Sequence, residues 1–251
     1  MKKNSLVVIF TIAIMLIANF SFSQTEDEKN DNLLSVSCDL VSRYVWRGTD
    51  FSASPSIQPG VEFIKSGFTI GAWGAYAMNL TGAQEADLYV GYTYKDMFSL
   101  TVTDYFFPNE MGAYKYFEFD KDKTGHVLES SLSFNGTEKL PLTILLATNV
   151  WGADATKLNS DGTKKGIQYS TYAELGYSYK NISAFMGFNF TNPNETLGET
   201  GFYGNGFGVV NLGLTATKDI IISNKFKLPL SVSIITNPQA EKIYLVAGIS
   251  F

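Results

Sequence analysis

The residues of this chain best placed to do chemistry are charged side chains that recur on one face of an alternating pattern. Asp39, Arg43 and Arg47 share a face of the run Ser35–Gly48, SVSCDLVSRYVWRG, with Ser35 and Ser37. Glu62, Asp87, Glu129 and Glu174 occupy the corresponding face of later segments. Inside a water-filled barrel such groups avoid the cost of meeting hydrocarbon and can form opposing patches that orient ions and polar solutes. The same residues are equally suited to bracing the wall, because opposite charges side by side on one face attract. Arg43 is the first candidate for that bracing role. The acidic excess on this face predicts a weak preference for cations.

Other chemistries have little support. Nucleophilic hydrolysis needs a serine with a positioned histidine. The chain has one histidine, His126, which reads as an incidental rim residue. Outer-membrane phospholipases, which the chain resembles in strand number, carry a serine two residues after the histidine. Here that position is Leu128, and Ser130 is too far along one strand for direct hydrogen bonding. Asp120, Asp122 and Gly125 partly imitate a calcium loop, but Ser131 stands where the closing glutamate belongs. Cys38 is the sole cysteine, which excludes an intramolecular disulfide, and it reads as a small apolar wall residue. No nucleotide-binding loop, zinc pattern or heptad repeat is present, and no cofactor is expected.

The elements that must position the charged face follow from the pattern. Of 251 residues, 45% are apolar, 17% charged and 14% aromatic, which suits one large domain or a barrel. Met1–Ser23 has Lys2 and Lys3, an apolar run over Leu6–Phe20 and the small-x-small ending Ser21-Phe22-Ser23, and reads as a cleavable signal peptide. Its removal takes Lys2 and Lys3 with it and moves the formal charge from −5 to −7, which disfavours nucleic acid as a partner. Residues 24–32 are polar and read as a flexible tail, leaving 33–251 for the barrel.

The period-two alternation begins in Ser35–Gly48 and predicts further strands over Ser56–Ile64, Phe68–Met78, Ala86–Lys95, Phe98–Phe107, His126–Phe134 and Leu142–Trp151. It continues over Ile167–Tyr179, Ile182–Phe190, Phe207–Lys218, Phe226–Thr236 and Lys242–Phe251. The expected architecture is an all-β, antiparallel, up-and-down transmembrane barrel of about twelve strands, most close to the length a tilted membrane strand needs. Tight or moderate connections alternate with mostly longer ones rich in Gly, Asn, Asp and Thr. An even count then places both termini on the short-turn, periplasmic side. Tyr114–Phe119 is assigned to the longest loop, because counting it as a strand would break that alternation. Twelve strands suit a narrow pore or one blocked by long side chains or an infolded loop, for which Pro108–Gly125 is the best candidate.

Apolar rows such as Leu88, Val90, Tyr92, Tyr94 and Leu228, Leu230, Val232, Ile234 are assigned to lipid, opposite walls of Ser, Thr and Gly. Aromatics near strand ends, Tyr44, Trp46, Tyr177 and Tyr179 among them, are assigned to interfacial girdles. Pro59 and Pro229 fall inside strands and predict local bulges. Asp104 falls on the lipid wall near the outer rim, where a charge costs least.

Asp39-Leu40-Val41-Ser42-Arg43-Tyr44-Val45-Trp46-Arg47-Gly48 with Ser56-Ile57-Gln58-Pro59-Gly60 resembles the TorF-like porins, bacterial outer-membrane proteins that begin with such an arginine-bearing strand. The resemblance implies a barrel with a channel role in the outer membrane of a Gram-negative bacterium, and no catalytic residues. The expected function is passive diffusion of ions or small polar solutes. A non-conducting binding barrel is the alternative, and a lipid-modifying enzyme a more distant one. The expected partners are outer-membrane lipid, those solutes, and the assembly machinery, which would read the last strand ending at Phe251.

Overall fold

The computed structural model describes residues 33–79, 82–108, 115–224 and 226–251. The signal peptide and polar tail assigned above lie outside the described residues. The chain forms a closed antiparallel barrel of twelve strands. They are β1 (Leu34–Val41), β2 (Ser56–Lys65), β3 (Phe68–Ala77), β4 (Gln84–Tyr94), β5 (Phe98–Phe106) and β6 (His126–Phe134). Then come β7 (Leu142–Gly152), β8 (Thr171–Tyr179), β9 (Ile182–Asn189), β10 (Gly208–Ser223), β11 (Phe226–Asn237) and β12 (Lys242–Ser250). Each pairs with its sequence neighbours, and β1 closes on β12 through Asp39↔Ser250, Leu40↔Ile249 and Val41↔Gly248. The seam is extended by backbone hydrogen bonds between Cys38 and Phe251 and from Ser42 to Ala247.

Connections at one end are short because their residues accept a left-handed backbone. Ser66 and Gly67 have φ of 51° and 83°, and Lys95 and Asp96 have 51° and 57°, values suited to tight hairpin turns. The β10–β11 hairpin is longer than the alternation predicts: its ladder runs on to Ser223↔Phe226. At the other end, Thr156–Leu158 and Lys164–Ile167 form a separate two-stranded ribbon. The expected eighth strand therefore begins at Thr171 rather than Ile167, after Tyr169 takes φ 55°.

Alternation sorts side chains into two walls, as anticipated. The outer wall exposes Ile70, Val90, Leu100, Leu132, Leu214 and Leu245. Ring pairs stand on it near the short turns, Phe68 with Tyr92 at 4.7 Å and Phe98 with Phe134 at 5.4 Å between centroids. Phe190 and Phe207 (5.2 Å) lie at the opposite rim. The inner wall near the short turns is built of hydroxyls that bond across strands: Thr93 to Ser99, Ser178 to Ser183 and Thr215 to Ser233, at 2.8–2.9 Å.

Neither proline produces the expected bulge. Pro59 faces Cys38 in an unbroken β1–β2 ladder, and β2–β3 pairing passes from Ile57↔Tyr76 to Gly60↔Trp73 without a change of register. Pro229 pairs with Asp219 and lies one residue before β11 begins pairing with β12 at Leu230↔Ile249, so no ladder is interrupted on that side.

The described part of the Pro108–Gly125 connection, the candidate infolded loop, lies over the outer wall rather than in the bore. His126 is 1% exposed and far from incidental. Its Nδ1 is 2.8 and 2.9 Å from the Asp104 carboxylate oxygens, and its Nε2 is 2.6 Å from the Tyr116 carbonyl. Phe119 stacks on the imidazole at 5.1 Å, and Tyr116 meets Phe106 edge-on at 5.2 Å. The strap thus covers Asp104, a charge on the outer wall that would otherwise lack a partner. Both ring nitrogens are engaged by acceptors, so neither is placed to take a proton from a serine. Asp122, considered above for calcium, pairs with Lys164 at 3.0 Å. Among the described residues no group of three or more His, Cys, Asp or Glu is placed to hold a metal ion. Replacing His126 by alanine should cost about 1–3 kcal/mol of local stability, the usual penalty for leaving such a group unsatisfied. Trypsin should then cleave faster at Lys115, Lys121 and Lys123 while the barrel stays intact. An unchanged digestion rate would mean that the strap is held by its aromatic contacts alone.

Candidate functional site

The inner wall at the long-loop end is occupied by the chain's own residues. β1 stops at Val41 because Ser42 caps its ladder: its N–H donates to the Ala247 carbonyl (2.8 Å), and its Oγ accepts from the Ala247 N–H (2.9 Å). Beyond it, Val45–Trp46 pairs with Thr49–Asp50 in a ribbon of its own, turning at Arg47 (φ 48°) and Gly48 (φ 79°). Two consecutive left-handed residues, the second a glycine, make the tightest hairpin turn. The expected fourteen-residue first strand is therefore a shorter strand followed by a hairpin.

The hairpin enters the bore. An ideal Cβ at Gly48 would lie 1.9 Å from the Val210 carbonyl oxygen on β10, and the Gly48 carbonyl accepts from Asn237 Nδ2 at 3.3 Å. Tyr44 packs against Trp73 and Phe51, with centroids 5.5 Å apart in both pairs. Trp46 packs against Tyr105 at 5.5 Å and Tyr203 at 5.8 Å. Both rings, assigned from the sequence to the lipid girdle, lie inside instead. Arg43 pairs with Asp50 across the ribbon. The segment after β9 also folds inward, gathered by Asn189, whose Nδ2 donates to the carbonyls of Thr191, Gly204 and Gly206 at 2.8–3.1 Å. It delivers Tyr203 to a core with Tyr172 and Val210.

Arg47 is the centre of this arrangement. Its guanidinium forms a two-point pair with the Glu129 carboxylate on β6, with Nη2–Oε1 at 3.0 Å. Nη1 also donates to the Tyr203 hydroxyl at 2.6 Å. Its Cζ lies 4.4, 4.6 and 5.3 Å from the ring centres of Trp46, Tyr172 and Tyr203. Glu129 is 2% exposed and further accepts from the Tyr105 and Tyr203 hydroxyls at 3.1 and 3.0 Å. Room for Tyr172 comes from Gly187 on β9, where a Cβ would fall 1.9 Å from its hydroxyl. Burial pushes the Tyr203 phenol well above its ordinary value, so it stays a hydrogen-bond donor at any working pH. Burial opposes the Arg47 charge, and the hydrogen-bonded Glu129 carboxylate more than offsets it and holds the guanidinium charged.

The other predicted residues sit on the inner face. Glu62 accepts from the Tyr89 hydroxyl at 2.7 Å, Glu174 from Asn211 at 2.9 Å, and Asp87 from the Phe106 N–H at 3.3 Å. Asp39 lies on β1 in register with Gln58 and Ser250. Sequence reasoning misses Glu85, because it starts the fourth strand one residue later. Glu85 is 2% exposed, faces Tyr44, and its Oε2 has no hydrogen-bond partner among the described residues. The wall therefore carries a clear excess of carboxylates over the two arginines, each of which is already paired. Tyr105 and Tyr172 are missed as well. Each stands two residues from a residue assigned to the polar wall, Thr103 and Glu174, which is the signal that could have placed it.

A family model described as "Bacterial protein of unknown function (Gcw_chp)" matches residues 26–138. No curated protein matches the chain. Among solved structures the chain is similar to the KdgM porin, at 9% identity and a TM-score of 0.45, covering 86% of this chain and 98% of that one. It is similar to a mutant of Rh. blastica porin at 12% identity and a TM-score of 0.39, covering 88% and 73% respectively. It is also similar to Salmonella typhi OmpF, solved in complex with daunomycin, at 9% identity and a TM-score of 0.35, covering 87% and 97%.

Proposed function

We propose that this chain is an outer-membrane diffusion channel for ions and small polar solutes, cation-preferring, and narrowed at its long-loop end by the hairpin Ser42–Pro55. The observation that carries the reading is a closed barrel with an apolar outer wall and an inner wall rich in Asp39, Glu62, Glu85, Asp87, Glu129 and Glu174. Strands cross a bilayer only when every backbone group is paired, which closure provides. Negative charge along a bore raises the local concentration of cations and excludes anions. The likeness of Asp39–Gly48 to the TorF-like porins supports the same role. Both termini then face the periplasm, and the outward row Ile243, Leu245, Ala247, Ile249, Phe251 on the last strand is the feature the assembly machinery would read.

Purified, refolded protein in a planar bilayer with a salt gradient tests this. Discrete conductance steps and a reversal potential of cation-selective sign are expected. Neutralising Asp39 and Glu62 together, as Asn and Gln, should move that potential toward zero. An anion-selective potential would overturn the charge argument. A second reading, a barrel that binds at its outer face without conducting, is favoured by one observation: the hairpin and Tyr203 fill the bore. Folded protein that stays silent in the bilayer would support it.

A further inference from the structure

The residues around Arg47 are tied to one another by hydrogen bonds of their own. The floor of this cluster is the buried Glu129 carboxylate, held by hydrogen bonds from the Tyr105 and Tyr203 hydroxyls. One wall is the Tyr172 ring, whose hydroxyl accepts from Asn211 Nδ2 at 3.1 Å and donates to Glu174. Tyr203 closes another side, on a loop anchored by Asn189. These contacts run between barrel and loop residues, in addition to those that Glu129 and Tyr203 make to Arg47. A carboxylate edge offering two oxygens, set between aromatic faces, is the complement of a planar guanidinium. Arg47 enters from a separate hairpin at the tip of a two-residue turn, much as a tethered ligand would.

We propose that this cage is a guanidinium-binding site of the channel and that Arg47 is its built-in occupant. Resting on the channel reading, the inference names a solute class: compounds carrying a free guanidinium, such as arginine or arginine-bearing peptides, compete with Arg47 for Glu129. An ammonium ion fits less well, because a point charge cannot match both carboxylate oxygens in one plane. While Arg47 is bound, the apparent affinity for an external guanidinium falls in proportion to the fraction of empty cages.

The experiment is calorimetric titration of guanidinium chloride into the refolded Arg47→Gly protein at constant ionic strength, with sodium and tetramethylammonium chloride as comparison salts. Glycine is chosen because position 47 has φ 48°, which an alanine would strain. Saturable binding in the millimolar range is expected for Arg47→Gly, about tenfold or more weaker in the wild type. Binding should disappear in Arg47→Gly/Glu129→Gln. Folding of each variant is verified by heat-dependent mobility on a denaturing gel. No saturable heat from folded Arg47→Gly would overturn the proposal, as would equal binding of tetramethylammonium, since that would make the cage a general cation trap. Calorimetry needs no conduction. Binding by a silent barrel would sink the channel reading alone, and conduction without binding would sink this inference alone.

Discussion

Alanine at Gly48 should enlarge the conductance step more than any other single substitution in the chain. Position 48 has φ 79°, a conformation that costs a residue with a Cβ about 1–2 kcal/mol. The greater obstacle is the Val210 carbonyl oxygen, 1.9 Å from where the Cβ would stand. Backbone of a barrel strand cannot move aside as a flexible side chain would, so the hairpin tip must withdraw. Withdrawal pulls Arg47 off Glu129 and clears the outer half of the bore, which the hairpin otherwise narrows. Gly162→Ala is the matched control: its φ is 80°, yet nothing lies within 4 Å of where its methyl would stand, so it carries the backbone strain without the clash. Larger steps in Gly48→Ala and unchanged steps in Gly162→Ala are expected from single-channel recording. Equal steps in Gly48→Ala and wild type would mean that the hairpin does not obstruct the path.

Loss of Glu129 should destabilise the protein most. Arg47 and Glu129 have side chains 9% and 2% exposed. Truncating the acid to alanine leaves a buried guanidinium without its counter-charge, for which about 3–5 kcal/mol is the usual penalty. It also strips the Tyr105 and Tyr203 hydroxyls of their shared acceptor. The unfolding midpoint in denaturant should fall accordingly, with Arg47→Gly less damaging because it leaves a carboxylate still held by two phenols. The double variant Arg47→Gly/Glu129→Ala should recover part of the loss, since removing both charges removes the uncompensated one. Strictly additive losses would show that the pair contributes nothing beyond its separate contacts. This stability cycle and the conductance comparison address the same contact from two sides, since the pair that anchors the hairpin also fills the cage.

The strap over His126 bears on how the outer wall tolerates a charge. Asp104 lies on a face otherwise built of Leu100, Val102 and their neighbours, and His126 and the Tyr116–Phe119 segment shield it. Its place near the rim is therefore only part of the reason it is tolerated, and a specific partner supplies the rest.

What the sequence determined by itself was the division of the chain into two walls. Alternation is a local property of extended backbone, so Glu62, Asp87, Glu129 and Glu174 could be assigned to one side from their spacing and their hydroxyl-bearing neighbours alone. The strand number and the alternation of short and long connections were legible for the same reason, since turns rich in Gly, Asn and Lys tolerate left-handed φ. Alternation carries no information about which neighbour supplies the hydrogen bonds. Tyr44 to Arg47 keeps the spacing of a continuing strand, yet the ladder to β12 ends at the Ala247 contacts of Ser42. The segment pairs instead with Thr49–Asp50 and turns inward. Only the tertiary structure decided that Arg47 meets Glu129, 82 positions away, and that the described part of the longest loop lies outside the barrel rather than within it. Both outcomes depend on space across the bore, where Gly48 and Gly187 admit close approach, and a pattern of near neighbours in sequence does not record that space.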